Sequence, residues 1–143
     1  MFRKGADYLK VLVVEPDYAP YEKEINGLHD MQAVVGGTIQ AIYPFEEQVA
    51  VVCNDDGIGM GLPFNRSMDR GCCGVFGTFF VCGLGEESFT SLTPEQMKHY
   101  KQRFHQAEIL MGAKGNDAIT MKVPPKRRDQ PGQPPRSPKP PER

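Results

Sequence analysis

The stretch LHDMQAVVGGTIQAIYPFEEQVAVVC, residues 28–53, predicts a short helix followed by two strands, and this order decides the fold class. Its apolar residues recur at helical spacing as far as Val35, where Gly36-Gly37 supply the left-handed stop that often ends a helix. The runs TIQAIY (38–43) and QVAVVC (48–53) are rich in β-branched residues, which favours strands. The stretch therefore indicates an α+β fold.

The segments on either side add strands to this pattern. KVLVVEP (10–16) and YEKEI (21–25) are typical of strands, and the turn between them predicts a hairpin. GVFGTFFVCGLG (74–85) is a third buried run, with glycines where the backbone can bulge or pack closely. Together with the two central strands, these runs predict about five strands.

A second helix begins at a capping box. Thr93 is followed by Pro94 and, three residues after the threonine, by Gln96, and the helix is predicted to run to about residue 106. We therefore expect an α+β domain, with a mainly antiparallel sheet of about five strands and two helices on one face of it.

Composition divides the chain into unequal parts. We expect residues 1–112 to form the globular domain, residues 113–124 a connecting segment, and residues 125–143 a disordered, basic, proline-rich tail or linker. Residues 1–124 carry eleven Lys/Arg and sixteen acids, a net charge of −5, whereas the tail carries +4. No apolar run approaches the roughly 18 residues of a membrane span, and no signal-peptide cleavage site follows the basic start. A cytoplasmic protein without a membrane partner is expected.

The four cysteines do not have the spacing of a metal site. Cys72 and Cys73 are adjacent, whereas two sulfurs converge on one zinc ion through a C-x-x-C spacing. We expect free thiols, no metal and no cofactor. Neither the histidine spacing nor any nucleophile motif suggests a catalytic residue, so none is predicted.

The stretch CNDDGIGMGLPFNRSM (53–68) combines two acids with alternating glycines. A calcium loop needs a Glu at its twelfth position, and a phosphate cradle needs a helix after its glycines, so neither site is predicted. The first half instead predicts a hairpin turn between two strands, with Asp55 and Asp56 as turn residues and Gly57 at positive φ.

The second half of this stretch contains Asn65 and Arg66, which a turn does not require. Two interpretations stay open. In one, Arg66 pairs with an acid of the same domain. In the other, Asn65 and Arg66 form the centre of a ligand-binding or enzymatic site.

Four stretches together, VLVVEP, MQAVVGGTIQAIYPFEEQVAVVCNDDG, GLPFNR and GTFFVCGLGEESFTSLTPEQ, cover about residues 9–110. They resemble a family of small bacterial domains of unknown function that is common on plasmids, conjugative elements and phages. The residues that match its signature are Gly36, Gly37, Asn54, Gly57, Leu62, Pro63, Asn65 and Arg66. The resemblance implies no catalytic residue. It implies the setting of accessory factors, some of which inhibit host defences by occupying a basic nucleic-acid-binding surface.

We therefore expect a non-enzymatic binding protein of a mobile genetic element, such as an anti-CRISPR or anti-restriction inhibitor. Its partner would be a host protein, in particular a nucleic-acid-binding effector with a basic surface, which the acidic body would face. The predicted binding residues are Asn54, Asp55, Asp56, Asn65, Arg66, Glu46 and Glu47. An interaction module of a longer protein is a further alternative, and the basic tail is expected to contact nucleic acid only weakly and without sequence preference.

Overall fold

The computed structural model describes residues 8–68, 74–115 and 117–128. This part of the chain contains ten strands and two helices. Their bounds are β1 Leu9–Val14, β2 Tyr21–Ile25, α1 Gly27–Val35, β3 Ile39–Ile42, β4 Val49–Asn54, β5 Phe64–Arg66, β6 Val75–Phe76, β7 Phe79–Leu84, β8 Phe89–Thr90, α2 Pro94–Arg103, β9 Ala107–Lys114 and β10 Asp117–Val123.

The main sheet has the strand order β2-β1-β7-β4-β3, and β8 pairs with β7 beside it. All of these pairs are antiparallel, which confirms the predicted α+β fold with a mainly antiparallel sheet of about five strands. The predicted hairpin of the first two strands is present as β1 and β2. The strands β1, β7 and β4 lie in the middle of the sheet and have nearly all of their side chains buried.

Each face of the sheet is covered by one helix. Successive residues of a strand point to opposite faces. Leu12 of β1 packs in one cluster with Tyr100 of α2, whereas the next residue, Val13, packs in another cluster with Met31 of α1. The arrangement differs from the two helices on one face that the sequence predicts, because continuous apolar runs such as β1 and β4 need cover on both sides.

The helix ends follow local sequence signals. At the end of α1, Gly36 has φ 78° and its N–H donates to the carbonyl of Gln32 at 2.8 Å. The capping box at Thr93 opens α2, as predicted. This helix ends at Arg103, before the predicted end, because the chain enters β9 four residues later. Neither helix of the described chain has the length and apolar character that crossing a membrane requires.

The predicted hairpin across residues 53–68 is wrong. Both edges of β4 are already paired, one with β3 and the other with β7, so no edge is left for the strand that follows it. The strand β5 pairs instead with β6 in a separate two-stranded sheet, through Phe64 opposite Phe76 and Arg66 opposite Val75.

A second hairpin, β9–β10, occupies residues 107–123, where the sequence predicts the end of the domain and a connecting segment. It carries apolar side chains that lie on the surface rather than in the core. Exposed members of this set are Ile109, Leu110, Met111, Ile119 and Met121. Ile119 and Met121 alternate with Thr120 and Lys122 in β10, which is a strand signal, whereas the apolar residues 109–111 of β9 are consecutive.

The start of the predicted tail contacts the domain. Lys126 forms a parallel bridge with Tyr18 in the turn after β1, and its N–H donates to the carbonyl of Asp17 at 2.8 Å. The rest of the predicted tail, residues 129–143, lies outside the described residues.

Candidate functional site

The candidate site is the loop of residues 55–61, which leaves the sheet at the end of β4. Its backbone coils on itself through short-range hydrogen bonds. The N–H of Met60 donates to the carbonyl of Asp56 at 2.9 Å, and the N–H of Leu62 donates to that of Gly57 at 2.9 Å. The loop is therefore a compact structure with internal hydrogen bonds, and we call it the 55–61 loop.

Asn54 anchors this loop to the domain. Its side chain is buried, with Nδ2 donating to the carbonyl of Val35 at 3.2 Å and Oδ1 accepting from the N–H of Asp56 at 2.7 Å. The N–H of Asp55 donates to the carbonyl of Thr38 at 2.9 Å. The loop is thus tied to the end of α1 and to the start of β3, and Asn54 acts as a support rather than as an exposed contact.

Two glycines allow the loop to close. The prediction of positive φ at Gly57 is wrong, since the positive φ, 74°, occurs at Gly61. Gly57 is needed for space, because a Cβ there would lie 2.5 Å from the backbone carbonyl oxygen of Phe76. That distance is too short for any real contact, so the glycine lets the loop pack on β6.

The outer surface of the loop combines acids with apolar side chains. Asp55 and Asp56 are exposed turn residues, as predicted. Ile58 is 73% exposed, more than any other large apolar side chain of the described chain, and Met60 is 52% exposed. A groove of about 310 Å³ runs beside the loop, with Cys53, Asp56 and Ile58 among its lining residues. Exposed apolar groups beside charges are typical of protein contact surfaces.

The other two predicted acids lie elsewhere. Glu46 and Glu47 precede β4, whereas Asp55 follows it, so the six residues of that strand separate them. At about 3.4 Å per residue, these six residues span roughly 20 Å. Glu47 accepts a hydrogen bond from the hydroxyl of Tyr100 in α2. The four acids therefore do not form one continuous acidic surface.

Asn65 and Arg66 lie inside the fold, and both have 0% exposure. The amide Nδ2 of Asn65 donates to the carbonyls of Val14 and Gly77, each at 2.9 Å. Its Oδ1 accepts from NH1 of Arg66 at 2.8 Å. Asn65 therefore links β5 to the end of β1 and to the segment before β7.

Arg66 connects two further segments through their carbonyl oxygens. The carbonyl of Phe104, after α2, accepts from Nε at 3.2 Å and from NH2 at 2.8 Å. The carbonyl of Tyr18 accepts from NH2 at 2.8 Å. Burial lowers the pKa of Arg66 to about 10, although the negative charges of Glu108 and Asp17 act to raise it. The guanidinium is therefore charged at neutral pH. The structure thus gives the Asn-Arg pair a role in joining segments.

Glu108 in β9 is a buried acid that the sequence does not single out. Its Oε1 accepts from the N–H of Ser67 at 3.0 Å and from the hydroxyl of Ser67 at 2.7 Å. Lys122 in β10 lies 3.4 Å from Oε2. Burial alone would raise the pKa of Glu108, but these hydrogen bonds and the lysine charge outweigh it and hold the pKa below its usual value of 4.5.

Replacing Glu108 by Gln is expected to lower the free energy of unfolding by about 1.5–3 kcal/mol at neutral pH, because hydrogen bonds to a charged group contribute about this much to stability. Because the folded-state pKa is depressed, the stabilisation is fully present above about pH 4.5 and is lost as pH falls through the folded-state pKa. Urea unfolding of both chains between neutral and acidic pH measures this, with exposed Glu24→Gln as the control. A gap that stays constant down to low pH would contradict it.

The two cysteines that the structure describes lie inside the fold. Cys53 and Cys82 are buried thiols, and burial raises the pKa of Cys82 to about 12. Cys72 and Cys73 lie outside the described residues. In the part of the chain that the structure describes, no three His, Cys, Asp or Glu side chains are grouped so as to hold a metal ion.

A substitution that adds one methyl group tests how the 55–61 loop packs. Gly57→Ala is expected to lower the free energy of unfolding by about 1–3 kcal/mol, because the backbone oxygen of Phe76 cannot move aside. Gly112→Ala is the matched control, since nothing lies within 4 Å of its added Cβ. Thermal unfolding of both variants compares them. Equal effects would mean that the loop is not packed on β6.

Comparison with known families gives a match over most of the chain. Residues 9–105 match a family described as Domain of unknown function (DUF3846). This confirms the resemblance to a family of domains of unknown function over most of the predicted span. The 55–61 loop and Arg66 lie within the match, whereas β9–β10 lies beyond it. No curated protein and no solved structure matches the chain.

Proposed function

Because the chain belongs to the DUF3846 family, domains of unknown function, we propose a function from its surface: it is a non-enzymatic protein that binds a host protein through the 55–61 loop. The observation that carries this proposal is the exposure of Ile58 and Met60 beside Asp55 on an anchored loop. The partner is a protein with an apolar pocket inside a basic surface.

The apolar side chains supply affinity. Fully burying a side chain of this size contributes about 1.5–3 kcal/mol, and most of Ile58 is still in water in the free protein. The hydrogen bonds within the loop, together with its anchor at Asn54, support binding further. A loop that is already ordered loses little conformational entropy when a partner binds.

The acids supply orientation and selectivity. Asp55 lies next to the apolar tip, and residues 1–124 carry a net charge of −5. A negative surface attracts a basic partner, raises the association rate and disfavours nucleic acid itself. Proteins that bind nucleic acid carry the basic surfaces that this loop would contact.

The resemblance to domains found on plasmids, conjugative elements and phages supplies the setting. In that setting the partner is an effector of host defence in the cytoplasm, such as a CRISPR or restriction nuclease. Binding over its basic surface would exclude nucleic acid and so inhibit the effector.

Affinity capture from bacteria that carry defence systems tests this proposal. The full chain is compared with Asp55→Lys/Ile58→Lys, which reverses the charge and removes the apolar tip. Asp56 stays unchanged because its carboxylate lies against the backbone of Gly59. The matched control is Tyr43→Lys/Glu86→Lys, which makes the same kind of change in a groove at the opposite end of β4.

We expect the wild-type chain and the control to retain the same nuclease effector, identified by mass spectrometry, and the loop variant to lose it. Equal retention by both variants would show that the 55–61 loop is not the contact. Retention of no nuclease effector by any of the three chains would reject the anti-defence role. Circular dichroism of each chain checks that it is folded.

A further inference from the structure

A second surface feature lies at the turn between β1 and β2, which shares no residue with the 55–61 loop. Residues 125–128 return to this turn, and Lys126 contacts Asp17 twice. Its N–H donates to the carbonyl of Asp17 at 2.8 Å, and its Nζ lies 3.4 Å from the Asp17 carboxylate. An extended basic segment is therefore bound to the turn by backbone and charge contacts.

Arg128 fills a clamp of two aromatic rings on this turn. Its Cζ lies 5.1 Å from the ring centre of Tyr18 and 4.9 Å from that of Tyr21. Its NH2 also donates to the carbonyl of Ala19 between the two tyrosines. A guanidinium within about 6 Å of a ring is attracted by the ring electrons, and two rings make the site selective for such a group. We call Tyr18 and Tyr21 the tyrosine clamp.

Glu15 completes the clamp as its negative group. Its Oε2 accepts from the hydroxyl of Tyr21 at 2.9 Å, which fixes the position of that ring. Burial raises the pKa of Glu15, while the hydrogen bond from Tyr21 and the charge of Arg128 oppose this rise. A half-buried acid beside two rings is suited to a cation and not to an anion or an apolar group.

Arg128 does not satisfy all of its hydrogen-bond donors in the clamp. NH1 of Arg128 is buried and has no hydrogen-bond partner among the described residues. An unsatisfied buried donor costs about 1–3 kcal/mol, which weakens this closed arrangement. The clamp residues lie within the matched family region, whereas Arg128 lies beyond it.

We propose that the tyrosine clamp is a binding site for an arginine in an extended basic segment, and that Arg128 occupies it reversibly as an internal competitor. A partner segment of the same chemistry binds when Arg128 leaves. The apparent affinity for that segment is reduced by the fraction of the chain in which Arg128 fills the clamp. The site shares no residue with the 55–61 loop, so each is tested with its own variants.

A labelled peptide of residues 124–132, PPKRRDQPG, is the probe, and fluorescence anisotropy measures its binding to full-length chains. Arg128→Ala opens the clamp, and Arg127→Ala is the matched control, because Arg127 is the neighbouring exposed arginine. We expect Arg128→Ala to bind the peptide at least about tenfold more tightly than wild type, which corresponds to about 90% occupancy by Arg128. Arg127→Ala should bind like wild type.

A second set of variants tests the rings. Adding Tyr18→Ala and Tyr21→Ala to Arg128→Ala should abolish peptide binding, whereas adding Tyr21→Phe, which keeps the ring, should retain it. A peptide in which Lys replaces the arginine of position 128 should bind more weakly, because lysine lacks the planar group that stacks on the rings. Circular dichroism and thermal unfolding check the fold.

The proposal is overturned if Arg128→Ala binds the peptide no better than wild type or Arg127→Ala. It is equally overturned if a folded chain without both rings binds the peptide as well as one that keeps them.

Discussion

An Arg66→Leu variant is expected to lose about 3 kcal/mol or more of its free energy of unfolding, measured by urea denaturation. The substitution removes the donors to the carbonyls of Phe104 and Tyr18 and to Oδ1 of Asn65. Each buried acceptor left without a donor costs about 1–3 kcal/mol. Relief from burying the charge offsets only part of this loss, because Phe104 and Asn65, which carry two of the remaining acceptors, are fully buried.

Two comparisons make this result specific. Arg66→Lys should fall between wild type and Arg66→Leu, because one ammonium cannot reproduce the fork that contacts several oxygens. Arg127→Leu, on the surface, should change stability by no more than about 0.5 kcal/mol. If Arg66→Leu lost less than about 1 kcal/mol, Arg66 would not be the structural connection described above.

The second large effect concerns the affinity of the 55–61 loop for the effector that the proposed function requires. Asp55→Lys/Ile58→Lys should raise the dissociation constant by about 30-fold or more. Losing an anchor at the centre of an interface costs about 2 kcal/mol or more of binding free energy. Surface plasmon resonance with the purified effector gives the affinity and both rate constants.

The single substitutions should separate the two contributions. Ile58→Lys should mainly raise the dissociation rate, because it removes buried apolar contact. Asp55→Lys should mainly lower the association rate and reduce its dependence on salt, because it removes attraction at a distance. If both single variants bound like wild type, the contact would have to lie outside the 55–61 loop.

Much of the sheet could be predicted because its signals are local. The β-branched runs that become β1, β3, β4 and β7 lie where the sequence places them, and Gly36 ends α1 with the expected positive φ. The capping box at Thr93 likewise depends on residues three apart. Such signals are local, so one sequence is enough to recognise them.

The features that were missed depend on distant parts of the chain. The hairpin predicted after β4 fails because β3 and β7 occupy both of its edges, which no local pattern reveals. Asn65 bonds to Val14, 51 positions away, and Arg66 to Tyr18, 48 positions away. A buried arginine of this kind and an exposed binding arginine look the same in sequence, because only the fold supplies the carbonyls that surround the buried one.

Only part of the predicted binding site could be located from the sequence. Asp55 and Asp56 could be placed on a turn from the sequence, but the apolar tip at Ile58 becomes recognisable only when its exposure is known. Asn54 is predicted as a binding residue but instead supports the loop, since its side-chain amide forms hydrogen bonds with the backbone of Val35 and of Asp56.

The most direct test of the 55–61 loop as an anti-defence surface is phage plating on a panel of bacterial strains, each with a single CRISPR or restriction system. Expression of the wild-type chain or of Tyr43→Lys/Glu86→Lys should restore plating on at least one strain. Asp55→Lys/Ile58→Lys, expressed to the same level, should leave that strain resistant. Restoration of plating by the loop variant to the level of wild type, or no restoration by any chain on any strain, would contradict the proposed function.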